Sequence, residues 1–186
     1  MKICILELQP FPYNLGGGTV HIINLSNYLI KKGHEVSIIT SKPDKGQKPL
    51  ATNPKLKIYN VGLPHRKFYK SGIIGTAYNL AYRFLWESVW ILSAMKKVKE
   101  INADIYNPQS LITTALPCSL VGKNFVSIQH GIHLSGFRKL WSERQSKAAI
   151  FLSKFYEMFE NYNGKIAKAI ICTSRETFDY YKKFGK

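Results

Sequence analysis

Short apolar runs rich in β-branched residues recur along the chain, and longer stretches with apolar positions at helical spacing separate them. The short runs predict strands over Ile3–Leu8, Glu35–Thr40, Leu56–Val61, Ile105–Asn107, Phe125–Gln129 and Ala169–Cys172. Helical spacing predicts helices over Thr19–Lys32, Ile74–Glu100, Ser110–Ser119, Phe137–Asn161 and Arg175–Lys183. Strands alternating with helices predict an α/β class: a doubly wound parallel sheet flanked by helices on both faces. Gly33 follows two lysines, which predicts cations in a last helical turn, then a left-handed cap and a short turn at Lys32–His34. His34 reads as a surface turn residue. The stretch "SKPDKGQKPLATNPK" is the flexible piece.

With 186 residues and 45% hydrophobic content, the chain reads as one globular domain with a core of its own. Cys4, Cys118 and Cys172 are scattered, with no CxxC pair, and read as small buried hydrophobes in a reducing compartment. The start "MKICILEL" has no long apolar segment and no small-residue cleavage site, so it reads as a first strand. The expected location is therefore the cytoplasm. The net charge of +16, from 27 Lys and Arg against 11 Asp and Glu, implies anionic partners. Nucleic acid, phosphorylated small molecules and an anionic membrane face all satisfy it.

Gly16, Gly17 and Gly18 stand between the first strand and the first helix. That is the carboxyl end of a strand, where α/β sheets bind ligands. Glycine lets a ligand touch backbone N–H groups, and a helix N-terminus adds unpaired donors and partial positive charge, so the combination suits a phosphate. A plain flexible connection is the alternative. "GGGTVH" is neither GxGxxG nor GxxxxGK[ST], which weakens a dinucleotide dehydrogenase and a P-loop NTPase. A second candidate lies in "FVSIQHGIH". His130 and Gly131 end a strand that reads as central, so His130 is expected in the same crevice as the glycines. There it can donate a hydrogen bond, move a proton or carry charge beside phosphate. A turn residue capping the strand is the alternative. His133 reads as structural, and no Cys, Asp or Glu cluster completes a metal site with the two histidines.

"GGGTVHIINLSNYLIKKGHEVSIIT", "NADIYNPQS", "VSIQHG" and "AKAIICTSRETFDYYKKFG", in that order, resemble the N-terminal domain of a GT-B-fold glycosyltransferase of family 4. The resemblance spans nearly the whole chain. It implies a Rossmann-like domain, the N-terminal half of a GT-B fold. It also implies a retaining transfer from a nucleotide sugar, such as a UDP- or GDP-sugar, with no cofactor and no obligatory metal. By the same resemblance Gly16, Gly17 and Gly18 touch the donor diphosphate, and His130, with Gly131, lines the cleft beside the transferred sugar. Two departures stand out. The family often carries a histidine after the fourth strand, where this chain has "NPQS", so no role passes to Pro108 or Gln109. The family's second domain carries most of the donor site, including a glutamate pair that this chain lacks. The chain is therefore expected to be the acceptor-side half over residues 1–186, without the C-terminal donor-binding domain.

The span Lys42–Lys70 holds eight cations and a single acid, Asp44, and ends on Arg66, Lys67, Phe68, Tyr69 and Lys70. The helix that follows is apolar nearly all round, with a thin polar line at Thr76, Asn79, Arg83 and Glu87. Arg83 and Glu87 disfavour a membrane span, at about 2.5–3.5 kcal/mol each near its centre. A core helix with one apolar edge left over, or an in-plane contact with an anionic membrane, both fit. Phe137, Leu140, Trp141, Phe151, Phe155 and Phe159 at helical spacing read as core, with a sugar platform as the alternative. The expected partners are a nucleotide-sugar donor, a sugar or lipid-linked acceptor and an anionic membrane surface at the inner face. A stand-alone binding module for a phosphate ligand or nucleic acid is the competing function, although the lysines belong to no nucleic-acid motif.

Overall fold

The computed structural model describes residues 1–13, 16–64, 73–131 and 147–185, with the backbone alone at 73–80 and 147–152. The chain divides into two compact units, Met1–Asp104 and Ile105–Lys186. The architecture is α/β and Rossmann-like, with parallel strands and flanking helices.

In the first unit, β1 (Lys2–Leu6), β2 (Glu35–Lys42) and β3 (Lys57–Pro64) form a parallel sheet in the order β3-β2-β1. Ile5 lies opposite Ile38, and Ile38 opposite Ile58. β2 is buried from Val36 to Ser41, as a central strand covered on both faces must be. α1 (Gly17–Lys31) packs Ile22 into a cluster with Ile5, Phe11, Val36, Ile38 and Leu56, and Leu25, Leu29 and Ile30 border it. Each such side chain contributes about 1.5–3 kcal/mol by leaving water. The helix ends as the sequence predicts. Gly33 takes φ +84°, and the His34 N–H donates to the Leu29 carbonyl at 3.1 Å.

α2 (Ile73–Ile101) packs on β3. The Trp86 indole N–H donates to the Leu63 carbonyl at 3.1 Å, and the Tyr82 hydroxyl to the Pro64 carbonyl at 3.3 Å. Trp90 is wholly buried. The contact closes because residue 62 is glycine. Its φ is +75°, and a Cβ there would sit 3.1 Å from the Trp90 Cα. On this helix Glu87 is buried and pairs with the half-buried Arg83 at 2.8 Å. Phe84, Leu85 and Leu92 are instead half or more exposed, an apolar edge of the kind expected. No described helix is long and apolar enough to cross a membrane.

The second unit carries β4 (Ile105–Pro108), β5 (Val126–Gln129) and β6 (Ala169–Cys172). β5 pairs in parallel with β6, Val126 opposite Ala169, and Tyr106 bridges in parallel to Phe125. The helices are α3 (Leu116–Leu120), α4 (Lys147–Ile166) and α5 (Arg175–Tyr181), with a 3-10 turn at Lys182–Phe184. The helix expected over Ser110–Ser119 is only α3. Ser110 diverts the chain before it. Its hydroxyl accepts from the Ile112 N–H at 3.1 Å, and its own N–H donates to the Thr114 hydroxyl at 2.9 Å. Such side-chain bonds compete with helical ones, so the segment turns until Pro117 can sit in a first helical turn.

α5 is tied to α4 through a buried carboxylate. Glu160 accepts from the Tyr180 hydroxyl at 2.9 Å and the Tyr181 hydroxyl at 2.8 Å. Burial pushes its carboxyl above the usual range, against the opposing pull of the two phenols and Lys183. On α4, Phe155 and Phe159 meet edge to face at 4.4 Å. Phe137, Leu140 and Trp141, the side chain of Phe151, and His133 lie outside the described residues, as does the whole Arg66–Lys70 patch. Cys4 and Cys118 are buried and Cys172 is half-buried, all as free thiols. Burial pushes the Cys4 thiol up to about 12 and also raises Cys172.

Gly62→Ala is expected to destabilise the protein by about 2 kcal/mol or more. The added methyl meets the Trp90 backbone, and its residue must hold a left-handed conformation. Urea unfolding measures this, and an unchanged midpoint would mean that α2 shifts away from β3 at no cost.

Candidate functional site

β1 delivers the chain to the glycines through a loop held from within. The Phe11 N–H donates to the Thr40 hydroxyl at 3.0 Å, and that hydroxyl donates onward to the Gln9 carbonyl. The Leu50 N–H donates to the Pro12 carbonyl at 2.9 Å, and Phe11 is buried. Gly16 is extended (φ −151°, ψ 166°), and the helix opens at Gly17. The first N–H to close a helical bond is that of Val20, on the Gly16 carbonyl at 3.0 Å. Among the described residues no side chain caps this end, and no acid stands in its first turn. The three glycines are exposed, none has positive φ, and a Cβ at any of them would meet nothing within 4 Å. Neither backbone conformation nor internal packing asks for glycine here. A side chain at these positions would fill open space in front of unpaired helical donors.

The second unit presents His130 at the carboxyl end of β5. The ring is exposed, and its Nε2 lies 2.9 Å from the Gln109 side-chain oxygen. Gln109 is buried and donates its Nε2 to the Asn107 Oδ1 at 2.7 Å. Asn107 in turn donates its Nδ2 to the Val126 carbonyl at 2.6 Å. A second polar pair runs along β5. Gln129 donates to the Ser127 hydroxyl at 2.7 Å, and Ser127 donates to the Pro108 carbonyl at 3.0 Å. The Gln129 carbonyl accepts from both the N–H and the hydroxyl of Thr173, at 3.2 and 3.1 Å. His130 therefore stands on a floor of linked amides and hydroxyls, in which the buried Gln129 Oε1 has no partner among the described residues. Gly131 follows it, half-buried, and a Cβ there would also meet nothing within 4 Å.

The profile of Glycosyltransferase Family 4 matches residues 15–186. The chain belongs to Glycosyltransferase Family 4. Solved structures agree on the fold. The chain is similar to sucrose-phosphate synthase from Thermosynechococcus elongatus at 11% identity and TM-score 0.68, covering 98% of this chain and 45% of that one. It is similar to Os79 from O. sativa, solved in complex with UDP, at 10% identity and TM-score 0.61, covering 97% of this chain and 49% of that one. It is also similar to the catalytic domain of starch synthase IV from Arabidopsis thaliana, bound to ADP and acarbose. There the identity is 16% and the TM-score 0.51, over 70% of this chain and 34% of that one. The chain thus spans less than half the length of each of these structures. Among curated proteins no sequence matches it. The fold is that of a GT-B N-terminal domain, as the motif order implied.

The Family 4 motifs brought His130 forward and left its neighbours unassigned. Gln109, in the "NPQS" departure from the family pattern, proves to be the residue at the His130 ring. The available signal was polar alternation at the ends of buried strands: Asn107 with Gln109, and Ser127 with Gln129, each pair two residues apart and so on one face. Glu7 was missed as well. It closes β1, where its N–H donates to the Ile39 carbonyl at 3.0 Å and its carboxylate accepts from the Gln9 N–H at 2.9 Å. Burial pushes its carboxyl up to about 7, partly opposed by the Gln9 and Leu8 N–H groups.

Glu7 makes stability depend on pH. Its folded-state proton is held to higher pH than in the unfolded chain, so the folded protein binds more protons between the ordinary glutamate range and about 7. Stability then falls as pH rises through that window. Glu7→Gln is expected to flatten the slope, by about 2 kcal/mol at most between pH 5 and pH 7. Denaturant titrations of both proteins at the two pH values check it, and parallel slopes would contradict it.

Proposed function

We propose that this chain is the acceptor-side half of a retaining glycosyltransferase that moves a sugar from a nucleoside-diphosphate sugar, such as a UDP- or GDP-sugar, to an acceptor. The observation that carries the reading is the run Gly16–Gly18 in a Family 4 chain, where glycine is needed neither for conformation nor for packing. A diphosphate approaching the backbone explains the requirement. The exposed N–H groups of the first turn of α1 donate to its oxygens, and the helix dipole favours the charge that grows on the leaving phosphate. His130, with Gly131 beside it, is placed at the transferred sugar. Two of the similar structures hold nucleoside diphosphates, UDP in Os79 and ADP in starch synthase IV, which supports a nucleotide-sugar donor. A further domain supplies base, ribose and most sugar contacts in this reading, in keeping with coverage of 45% of the sucrose-phosphate synthase chain. No metal or cofactor takes part in it.

In the full-length enzyme, Gly17→Val is expected to weaken donor binding at least about tenfold, some 1.4 kcal/mol, while the fold survives. His130→Ala is expected to lower kcat with little loss of stability, because an exposed strand-end ring gives up little packing. Donor binding by calorimetry, transfer kinetics on a nucleotide-sugar panel and melting temperature separate these effects. Wild-type donor affinity in the folded Gly17→Val protein would leave the glycines without a ligand role. Wild-type turnover in His130→Ala would return that residue to a strand cap.

The acceptor is placed on a lipid or near a membrane, with the protein at the cytoplasmic face. The support is the cationic segment Arg66, Lys67, Phe68, Tyr69 and Lys70, followed by a helix with Phe84, Leu85 and Leu92 exposed. Each cation contributes about 1 kcal/mol at an anionic surface, and salt screens it. Co-sedimentation with anionic vesicles is expected at low salt and is expected to fall at high salt. Absence of binding to anionic and neutral vesicles alike at low salt would move the acceptor into solution.

A further inference from the structure

The amide relay behind His130 has a direction, and that direction is set by an atom that can only accept. The Val126 carbonyl faces one end of the Asn107 side-chain amide at 2.6 Å, so that end is Nδ2. The other end, Oδ1, accepts from Gln109 at 2.7 Å, so the Gln109 group there is Nε2. The Gln109 Oε1 is thereby turned to the His130 Nε2, 2.9 Å away. An amide oxygen cannot donate, so the ring nitrogen facing it carries the proton. Reversing Asn107 would set its oxygen against the Val126 carbonyl and its N–H against that of Gln109, and reversing Gln109 would set its oxygen against the Asn107 Oδ1. Asn107 and Gln109 are both buried, so water is not at hand to repair such a mismatch. The relay is held in place as well, because Ser127 of β5 donates to the Pro108 carbonyl, between the two amides.

We propose that Gln109 is a positioning residue that fixes His130 as the Nε2–H tautomer. The proton of the neutral ring then stays on the protein side, and the lone pair is on Nδ1. Resting on the glycosyltransferase reading above, this makes His130 an acceptor toward the hydroxyl groups of a bound sugar, with any further proton entering at Nδ1. A carboxylate at position 109 would stabilise the imidazolium through its charge. An amide orients the ring without adding charge beside an anionic donor.

The test is the tautomer itself, read by two-dimensional nitrogen–proton correlation on the full-length protein labelled with 15N-histidine, with His130 assigned from the spectrum of His130→Gln. The wild-type neutral ring is expected to show the Nε2–H pattern. Gln109→Leu is expected to lose that single pattern and to show both tautomers, with a several-fold lower kcat and little change in KM. Gln109→Glu keeps an acceptor oxygen at the ring but sets its second oxygen against the Asn107 Oδ1, so the folded variant is expected to be less stable, to retain the Nε2–H form and to move the titration of His130 to higher pH. An Nδ1–H pattern in the wild type overturns the proposal without any variant, so a failure of Gln109→Leu to fold does not rescue it. An unchanged pattern in folded Gln109→Leu overturns it too. The expected spectra together with wild-type kcat in Gln109→Leu would uphold the tautomer assignment and count against a role for His130 in transfer, which keeps the two failures apart.

Discussion

Parallel pairing releases every strand of a sheet at the same edge, and the backbone groups freed there still need partners. Each unit of this protein answers the demand with side-chain hydrogen bonds instead of with regular structure. In the first unit the Thr40 hydroxyl joins the Gln9 carbonyl and the Phe11 N–H, which holds the loop after β1 down on β2. In the second, Asn107 reaches the Val126 carbonyl, Ser127 reaches Pro108 and Thr173 reaches Gln129, so β4, β5 and the residue after β6 are tied near their ends. The glycine run and His130 are the residues these ties present. Without them the loops would be free to wander, and an exposed helix end or imidazole would have no fixed place from which to meet a ligand.

Uncharged groups do most of this work in a chain whose net charge is +16. The floor beneath His130 is built of amides and hydroxyls. The carboxyl of Glu7, at the end of β1, is pushed by burial toward a neutral form near pH 7. Under the proposed function, a diphosphate ligand disfavours fixed negative charge, which would repel it, and fixed positive charge, which would hold the leaving group after transfer. Oriented dipoles satisfy both conditions, since they stabilise charge locally and fall away quickly with distance.

All six strands were legible from apolar runs, with ends shifted by no more than a few residues; β1 and β2 are buried almost throughout, and a strand buried on two faces has little freedom in composition. The turn at Gly33 was legible because a cap is written in three consecutive residues. The helix over Ser110–Ser119 was not. Its apolar spacing was sound, but Ser110 and Thr114 bond to nearby backbone groups, and that local competition leaves no mark on periodicity. On α2 the left-over apolar edge was legible from composition: Glu87 is buried against Arg83, while Phe84, Leu85 and Leu92 are exposed. At the candidate site the glycines and the histidine were readable because their residue types are unusual where they stand. Gln109 was not, because its meaning comes from Asn107, two residues away along the strand, and from Val126 on another strand.

The three free thiols differ in a way that bears on how the protein can be observed. Cys4 and Cys118 are sealed in the core, and the Cys4 thiol stays protonated until about pH 12, so reagents that attack thiolates pass both by while the fold holds. Cys172 is half open and ends β6, next to the Thr173 that grips the Gln129 carbonyl just before His130. The native sequence therefore carries one addressable handle for a small fluorophore or spin label, a single step along the chain from the support of the histidine. Opening or closing of that edge becomes visible through the label, with no residue added or removed.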